Sequence, residues 1–469
     1  MAPSASPTLA KNALIQRING FLTTPQYTVI VCALCLISNL FGLELPVYGL
    51  YALATAYICL HAEDLLPLVP VLLCCYIAPS VNNNPGRSEN SVFSGFGGVL
   101  IAIYGAIIGI SCLYHVIRNR KQYLQRKYRL LPGMLILWLG YLLSGIGSQG
   151  YLEKAGKNLL FAFLQGASIC VLYVLFSGGI RWEKARKDSF AWAGFCIGGV
   201  LFFQIIGIYL RPETIVAGVI HRENIYTGWG IHNNLGGMLA MMIPSAFYLA
   251  TQYRKGWVGT ICGSVFLLGV LLSCSRNAIL TGAACYFVGI VLMLYYARNR
   301  RGNTLAALSC IGIASIFVIF FSQQILRLFS DILSMGFDPN SRDSIYTKGI
   351  ELFKQYPIFG GSFFAPAELS PWGWSLTESF TGFFPARWHN TLVQLLASCG
   401  IVGLAAYLPH RVQVIHLILK DHIKERIFIG CSIIALLICS LFDCHFFNIG
   451  PTLFYSVALA FVENCAKQT

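Results

Sequence analysis

Three side chains stand where solvation alone does not explain them. Arg276 lies in LLSCSRNAIL, between two apolar runs with almost no loop around it. A guanidinium is a planar five-donor fork suited to carboxylate or phosphate. At a membrane boundary it normally has a partner or an anionic ligand, the alternative being a side chain that snorkels to headgroups. Arg342 lies in DPNSRDSIYTKGIELF. Asn340 or Ser341 can cap a helix beginning there, with Asp343 in its first turn. An arginine beside free helix N–H groups makes an anion site, and Tyr346 and Lys348 extend the same polar surface; the plainer reading is a solvated amphipathic helix. His389 lies in ARWHNTLVQLLASCGIVGLAAYL, where a polar stretch runs into an apolar one. Asn390 or Thr391 can cap the helix that follows. A histidine there can take a proton near neutral pH, and its case rests on joining the polar stretch directly to the apolar helices.

Two further clusters carry polar groups. In LFDCHFFNIGP, Asp443 and His445 are two residues apart and read as a local hydrogen-bonded pair, with a proton relay as the sharper alternative. In GWGIHNNLGGM, His232, Asn233 and Asn234 read as a helix start, and Gly236 and Gly237 as surfaces for close helix packing.

The elements that must hold these residues are membrane helices. Of 469 residues, 56% are hydrophobic and 11% charged, and the mean hydropathy is +0.65. Soluble chains carry about 25% charged residues, so an ordinary cytosolic enzyme, a disordered chain and a nucleic-acid binder are excluded. Apolar runs recur at about 27–43, 45–60, 65–80, 97–117, 130–147, 158–178, 190–209, 233–252, 257–274, 277–297, 304–321, 390–409, 427–443 and 448–463. A crossing needs about 20 such residues. The second and third runs are short and joined by His61, Glu63 and Asp64, a possible re-entrant pair. The chain therefore reads as all-α and polytopic, with 12–14 transmembrane helices. Its parts are the N-terminal helices 1–321, one large outer loop 322–389 and the C-terminal helices 390–469.

The net charge of +14 is topology rather than nucleic-acid affinity. With the N-terminus inside, inner segments hold 22 of the 33 Lys and Arg residues and outer ones 11, five of them in the long loop. That bias puts both termini in the cytoplasm. No cleavable signal peptide precedes the first run. The second half of the long loop is rich in Gly, Pro, Trp and Phe, which suits a lid near the lipid interface. Trp372, Trp374 and Trp388 are candidate interfacial anchors or substrate contacts.

Several chemistries have no motif here. There is no phosphate-binding GxxxxGK[ST], no GxGxxG after a strand and no HExxH or DxD. No metal site and no cofactor is expected. The 17 cysteines lie mostly in apolar runs and read as small packing residues.

Between about 190 and 465, the chain resembles the O-antigen ligase and O-antigen polymerase (Wzy-type) superfamily of bacterial membrane glycosyltransferases. The resemblance lies in IHNNLGGMLAMMIP, SCSRNA, SRDSIYTKGIELFKQYPIFGGSFF with its R…P-x-x-G run, and HNTLVQLLASCGIVGLAAY. The largest outer loop also stands three helices from the C-terminus, as in that family. Asn277 departs from the small residue usual after SR. The resemblance implies a GT-C-type fold in the bacterial inner membrane. It implies transfer of a glycan from undecaprenyl diphosphate to an acceptor sugar hydroxyl on the outer face, without metal. Acceptors in the family are lipid A–core, protein or another lipid-linked glycan. By position, His389 is similar to the histidine that activates the acceptor hydroxyl, and Arg276 and Arg342 to the arginines that hold the diphosphate. Lipid-linked donor, glycan or glycolipid acceptor and membrane lipids are the implied partners, with no nucleic acid. Some relatives have been labelled bicarbonate carriers. A carrier, however, should show mid-membrane charges and repeated halves with broken helices. This sequence shows no repeat, and its polar residues gather at outer helix ends. A non-catalytic envelope scaffold explains the long loop but not the outward arginines.

Overall fold

The computed structural model of the protein describes residues 7–62, 64–78, 95–216, 219–221, 224–227, 230–320, 339–366, 383–385 and 387–465. A helix occupies every one of the apolar runs, and the chain is an all-α polytopic membrane protein. Helix lengths are unequal. Among the described residues, five helices are long and apolar enough to cross a bilayer: Gly95–Arg118, Tyr151–Gly179, Ser189–Tyr209, Arg276–Tyr296 and Thr391–His422. A sixth is added if Leu14–Leu22 and Pro25–Phe41, bent by 72°, count as one span. Others are shorter, such as Leu68–Ile77 with 10 residues and Leu131–Leu142 with 12. At 1.5 Å per residue these fall short of a ~30 Å core. Three two-stranded antiparallel ladders, absent from the sequence reading, complete the described elements: Ile215–Val216 with Val219–Ile220, Tyr226–Thr227 with Gly230–Ile231, and Phe364–Pro366 with Phe383–Pro385.

The chain divides into two compact units. The first comprises residues 1–127, 174–231 and 464–469. In it, Pro25–Phe41 packs against Ser189–Tyr209 and Leu68–Ile77, and Glu44–His61 against Gly95–Arg118. Cys32, Cys35 and Cys74 are buried at one such contact, with the Cys32 and Cys74 sulfurs hydrogen-bonded at 3.6 Å rather than joined as a disulfide. All 17 cysteines are free thiols, as packing residues should be.

The second unit comprises residues 128–173 and 232–463. Its centre is the helix His232–Gln252, in which every residue from Leu235 to Thr251 is buried. Small residues allow this. A Cβ at Gly236 would lie 2.3 Å from Ser273 Oγ and 2.8 Å from Ala278 Cβ. Where lipid tails are as apolar as leucine, such close backbone approach is what drives helices together.

The long helix Thr391–Leu419 is broken at Gly400, whose φ of 63° and ψ of −159° are open only to glycine. The break leaves backbone groups without helical partners. The segment after the Pro339–Gln355 helix supplies them: Ile401 N–H donates to Pro357 O at 2.9 Å, and Gly361 N–H donates to Ala397 O at 2.7 Å. Irregular backbone at membrane depth survives only where protein satisfies it in this way. A Cβ on Gly360 would lie 2.3 Å from the Ser398 carbonyl carbon. The P-x-x-G run is thus a plug that fits the broken helix.

Arg411, counted among the inner cations, is instead 5% exposed and inside the helix Thr391–Leu419. Its guanidinium carbon lies 4.3, 4.1 and 4.9 Å from the ring centres of Tyr407, Phe446 and Tyr455. Three aromatic faces replace the water that a loop would have given it.

Candidate functional site

The second unit brings four helix ends together around one carboxylate. Asp443 follows the helix Lys424–Ser440 and is buried. His389 stands two residues before the helix Thr391–Leu419, with its Nδ1 3.1 Å from Asp443 Oδ1. Asn233, in the first turn of His232–Gln252, donates from Nδ2 to Asp443 Oδ2 at 3.2 Å. Ser275 caps the helix Arg276–Tyr296 and donates from Oγ to Asn233 Oδ1 at 2.8 Å. One hydrogen-bond chain thus runs from the Ser275–Arg276 junction through Asn233 and Asp443 to His389.

The local chemistry of each end explains its place. Of the two caps the sequence offers, Asn390 and Thr391, Asn390 is the one used: its Oδ1 accepts from Leu392 N at 2.8 Å and Val393 N at 3.2 Å. Its Nδ2 donates to Leu441 O at 2.7 Å, which ties the helix start to the end of Lys424–Ser440. His389 itself has a φ of 49°, in the left-handed region. That conformation is uncommon for a non-glycine residue and persists where neighbours over-determine it. Trp388 N–H donates to Gln394 Oε1 at 3.1 Å, and Tyr346 O–H donates to His389 O at 3.2 Å.

The electrostatics follow from burial and partners. Burial alone would push the Asp443 carboxyl up. The hydrogen bond with His389, the charges that His445 and His389 carry at the low pH where a carboxyl titrates, and the Cys444 N–H at 2.7 Å outweigh it. They hold Asp443 well below the usual carboxylate range. An ionised carboxylate only accepts, so the hydrogen between it and His389 sits on Nδ1. Nε2 is then the basic nitrogen of the ring, with the side chain 20% exposed. His445 is fully enclosed. Burial lowers its pKa against the opposing pull of Asp443, so it is neutral at neutral pH. A Cβ on Gly237 would come within 3.1 Å of its ring.

Arg276 is the first residue of its helix, joined through Ser275 to the carboxylate network. Arg342 lies in the helix Pro339–Gln355, which takes in Asn340 and Ser341 rather than starting after them; the Arg342 side chain lies outside the described residues. Arg387 donates from Nη1 to Asn448 Oδ1 at 3.0 Å, and Asn448 Nδ2 donates to Asn234 Oδ1 at 2.9 Å. Trp372 and Trp374 lie outside the described residues. Trp388 is no interfacial anchor: it is fully buried with Ile345, Leu352 and Ala397, facing Gly349.

The residue missed from sequence is Asp443 as the partner of His389, 54 positions away. In the sequence it pairs with His445, two residues on. The available signal was shared sidedness, since alternation put both at outer helix ends. Asn233 was read only as part of a helix start.

Residues 261–408 match a family model described as O-antigen ligase. That stretch takes in Arg276, Arg342 and His389 but ends before Asp443. No curated protein matches the chain.

Proposed function

From the match of residues 261–408 to the O-antigen ligase family model, we propose that this chain is a glycosyltransferase of the bacterial cytoplasmic membrane. It moves a glycan from undecaprenyl diphosphate to an acceptor sugar hydroxyl on the outer face. The observation that carries the reading is the His389–Asp443 pair, linked through Asn233 to the Ser275–Arg276 junction.

In this reading His389 Nε2 takes the acceptor hydroxyl proton while the oxygen attacks the anomeric carbon. The bond from that carbon to the diphosphate oxygen breaks, and undecaprenyl diphosphate leaves with the electron pair. Arg276 and Arg342 meet the charge that develops on it, which is the largest electrostatic demand of the step. Asp443 fixes the tautomer of His389 and stabilises its protonated form. The fixed guanidinium charges do what a divalent metal does elsewhere, so no metal is invoked.

The test is a purified-protein assay with an undecaprenyl-diphosphate oligosaccharide in the presence of chelator. Lipid A–core and a second lipid-linked glycan are offered as acceptors. Product on the first marks a ligase, and chain extension on the second a polymerase. Absence of transfer to any hydroxyl acceptor, in a preparation that binds the donor, overturns the reading.

Both termini lie in the cytoplasm and the 322–389 loop lies outside, because inner segments hold most of the basic residues. Cysteines at the exposed positions Lys354 and Lys121, on a cysteine-depleted background, check it. An impermeant maleimide added to intact cells should label 354 and spare 121 until the membrane is opened. The reverse pattern would move the site to the wrong side of the membrane for this donor.

A further inference from the structure

The base candidate is held from a direction its own helix does not supply. His389 sits at φ 49°, a strained backbone state that needs neighbours to maintain it. Its neighbours on both sides are clamped: Trp388 by Gln394 and by the wall of Gly349, and Asn390 by the helix it caps and by Leu441 O. The carbonyl of His389 is held by Tyr346, whose O–H donates to it at 3.2 Å. Tyr346 belongs to the Pro339–Gln355 helix, and its ring packs on the cluster of Ile345, Leu352, Trp388 and Ala397. Arg342 stands four residues earlier in that helix, one turn along the backbone.

We propose that Tyr346 is a positioning residue coupling the helix that clasps the donor diphosphate to the backbone of the base. This rests on the reading of Arg342 as a phosphate ligand and His389 as the base. When Arg342 takes up the diphosphate, the Pro339–Gln355 helix is fixed, and Tyr346 carries that fixed position to the His389 peptide. An empty donor site leaves the base less well held. Premature activation of water or acceptor without donor is thereby disfavoured. The chemistry is neutral hydrogen bonding to a backbone carbonyl, so Tyr346 itself takes no proton in the reaction.

The experiment uses the full-length protein with undecaprenyl-diphosphate oligosaccharide as donor. Tyr346→Phe keeps the half-buried ring and removes only the hydroxyl. Loss of one hydrogen bond at a strained site should lower kcat about five- to tenfold. The KM for donor and the melting temperature should stay close to wild type. A structural role alone would lower the melting temperature and leave kcat per folded molecule unchanged. The coupling itself is read from a double-mutant cycle with Arg342→Lys, which keeps charge but loses the fork. Coupled residues give non-additive effects on kcat/KM, so the pair should lose less of it than the product of the two single losses. Additive losses, or a Tyr346→Phe variant with wild-type kcat, overturn the proposal. His389→Ala separates the two levels of the argument. If that variant turns over fully, the base reading itself has failed. If it is inactive while Tyr346→Phe is unaffected, only the coupling has.

Discussion

Alanine at position 389 is expected to cut glycan transfer by about 10²–10⁴-fold, the usual worth of a positioned general base, while undecaprenyl diphosphate still binds. Binding survives because the charge that recognises the diphosphate is carried by Arg276 and Arg342, not by the imidazole. The companion variant is Asp443→Asn. It keeps the shape of the side chain and both lines of contact, to His389 Nδ1 and to Asn233 Nδ2. An amide, however, has one oxygen and one N–H₂ where the carboxylate has two acceptors. The backbone N–H of Cys444 donates to Oδ1 at 2.7 Å, on the side of His389, and so holds the amide oxygen there, leaving the N–H₂ toward Asn233. The Nδ1–H tautomer is kept, but a neutral amide no longer stabilises the imidazolium that forms when His389 takes the proton. A loss of about 10–100-fold is therefore expected. Single-turnover rates with a pre-bound donor, read beside equilibrium binding of undecaprenyl diphosphate, distinguish chemistry from affinity. Full turnover by His389→Ala removes the histidine from the mechanism. Full turnover by Asp443→Asn leaves the histidine but removes the need for a charged partner beside it. Melting curves guard against a trivial cause, because Asn233 and Ser275 both lose their anchor if the junction comes apart.

The helices were legible because each apolar run must satisfy its backbone within itself once it enters lipid. Composition over about 20 residues is therefore enough to find it, and the helix Gly95–Arg118 lies where the run 97–117 predicts. What lipid does not dictate was harder to see. The run 390–409 reads as continuous, yet it is interrupted at Gly400, because the Pro357–Ser362 segment supplies the missing hydrogen bonds from 40 or so positions upstream. Arg411 reads as an inner-loop cation because nothing in its own stretch announces the rings of Phe446 and Tyr455. The same holds at the site. His389 was identifiable from its place at a boundary, whereas Asp443 lies 54 residues on and becomes its partner only through helix packing. Trp388 ends an aromatic- and proline-rich stretch and reads as interfacial, but the Pro339–Gln355 helix covers it.

Glutamine at Arg276 or at Arg342 should lower transfer by about 10–100-fold, since a hydrogen bond to a charged group is worth about 1.5–3 kcal/mol. Lysine should recover part of that loss. It restores the charge but not the two parallel donors that match a phosphate edge. The order arginine, lysine, glutamine is thus the signature of anion recognition rather than of packing. The split between kcat and KM carries the mechanism. Charge on the bridging oxygen grows as the anomeric bond breaks, so a guanidinium aimed there acts more strongly on kcat than on donor affinity. One aimed at the outer phosphate binds ground and transition state alike and changes mainly KM. Arg276 adjoins Ser275, which is joined through Asn233 and Asp443 to His389, and so should show the larger kcat effect. Arg342 belongs to the loop helix and should show the larger effect on KM. If both arginines grip one diphosphate, the double glutamine variant loses less than the product of the single losses. Normal transfer by both single glutamine variants, at normal expression, would show that the diphosphate is held elsewhere, and Arg387, anchored by Asn448 beside the base, would be the next guanidinium to replace.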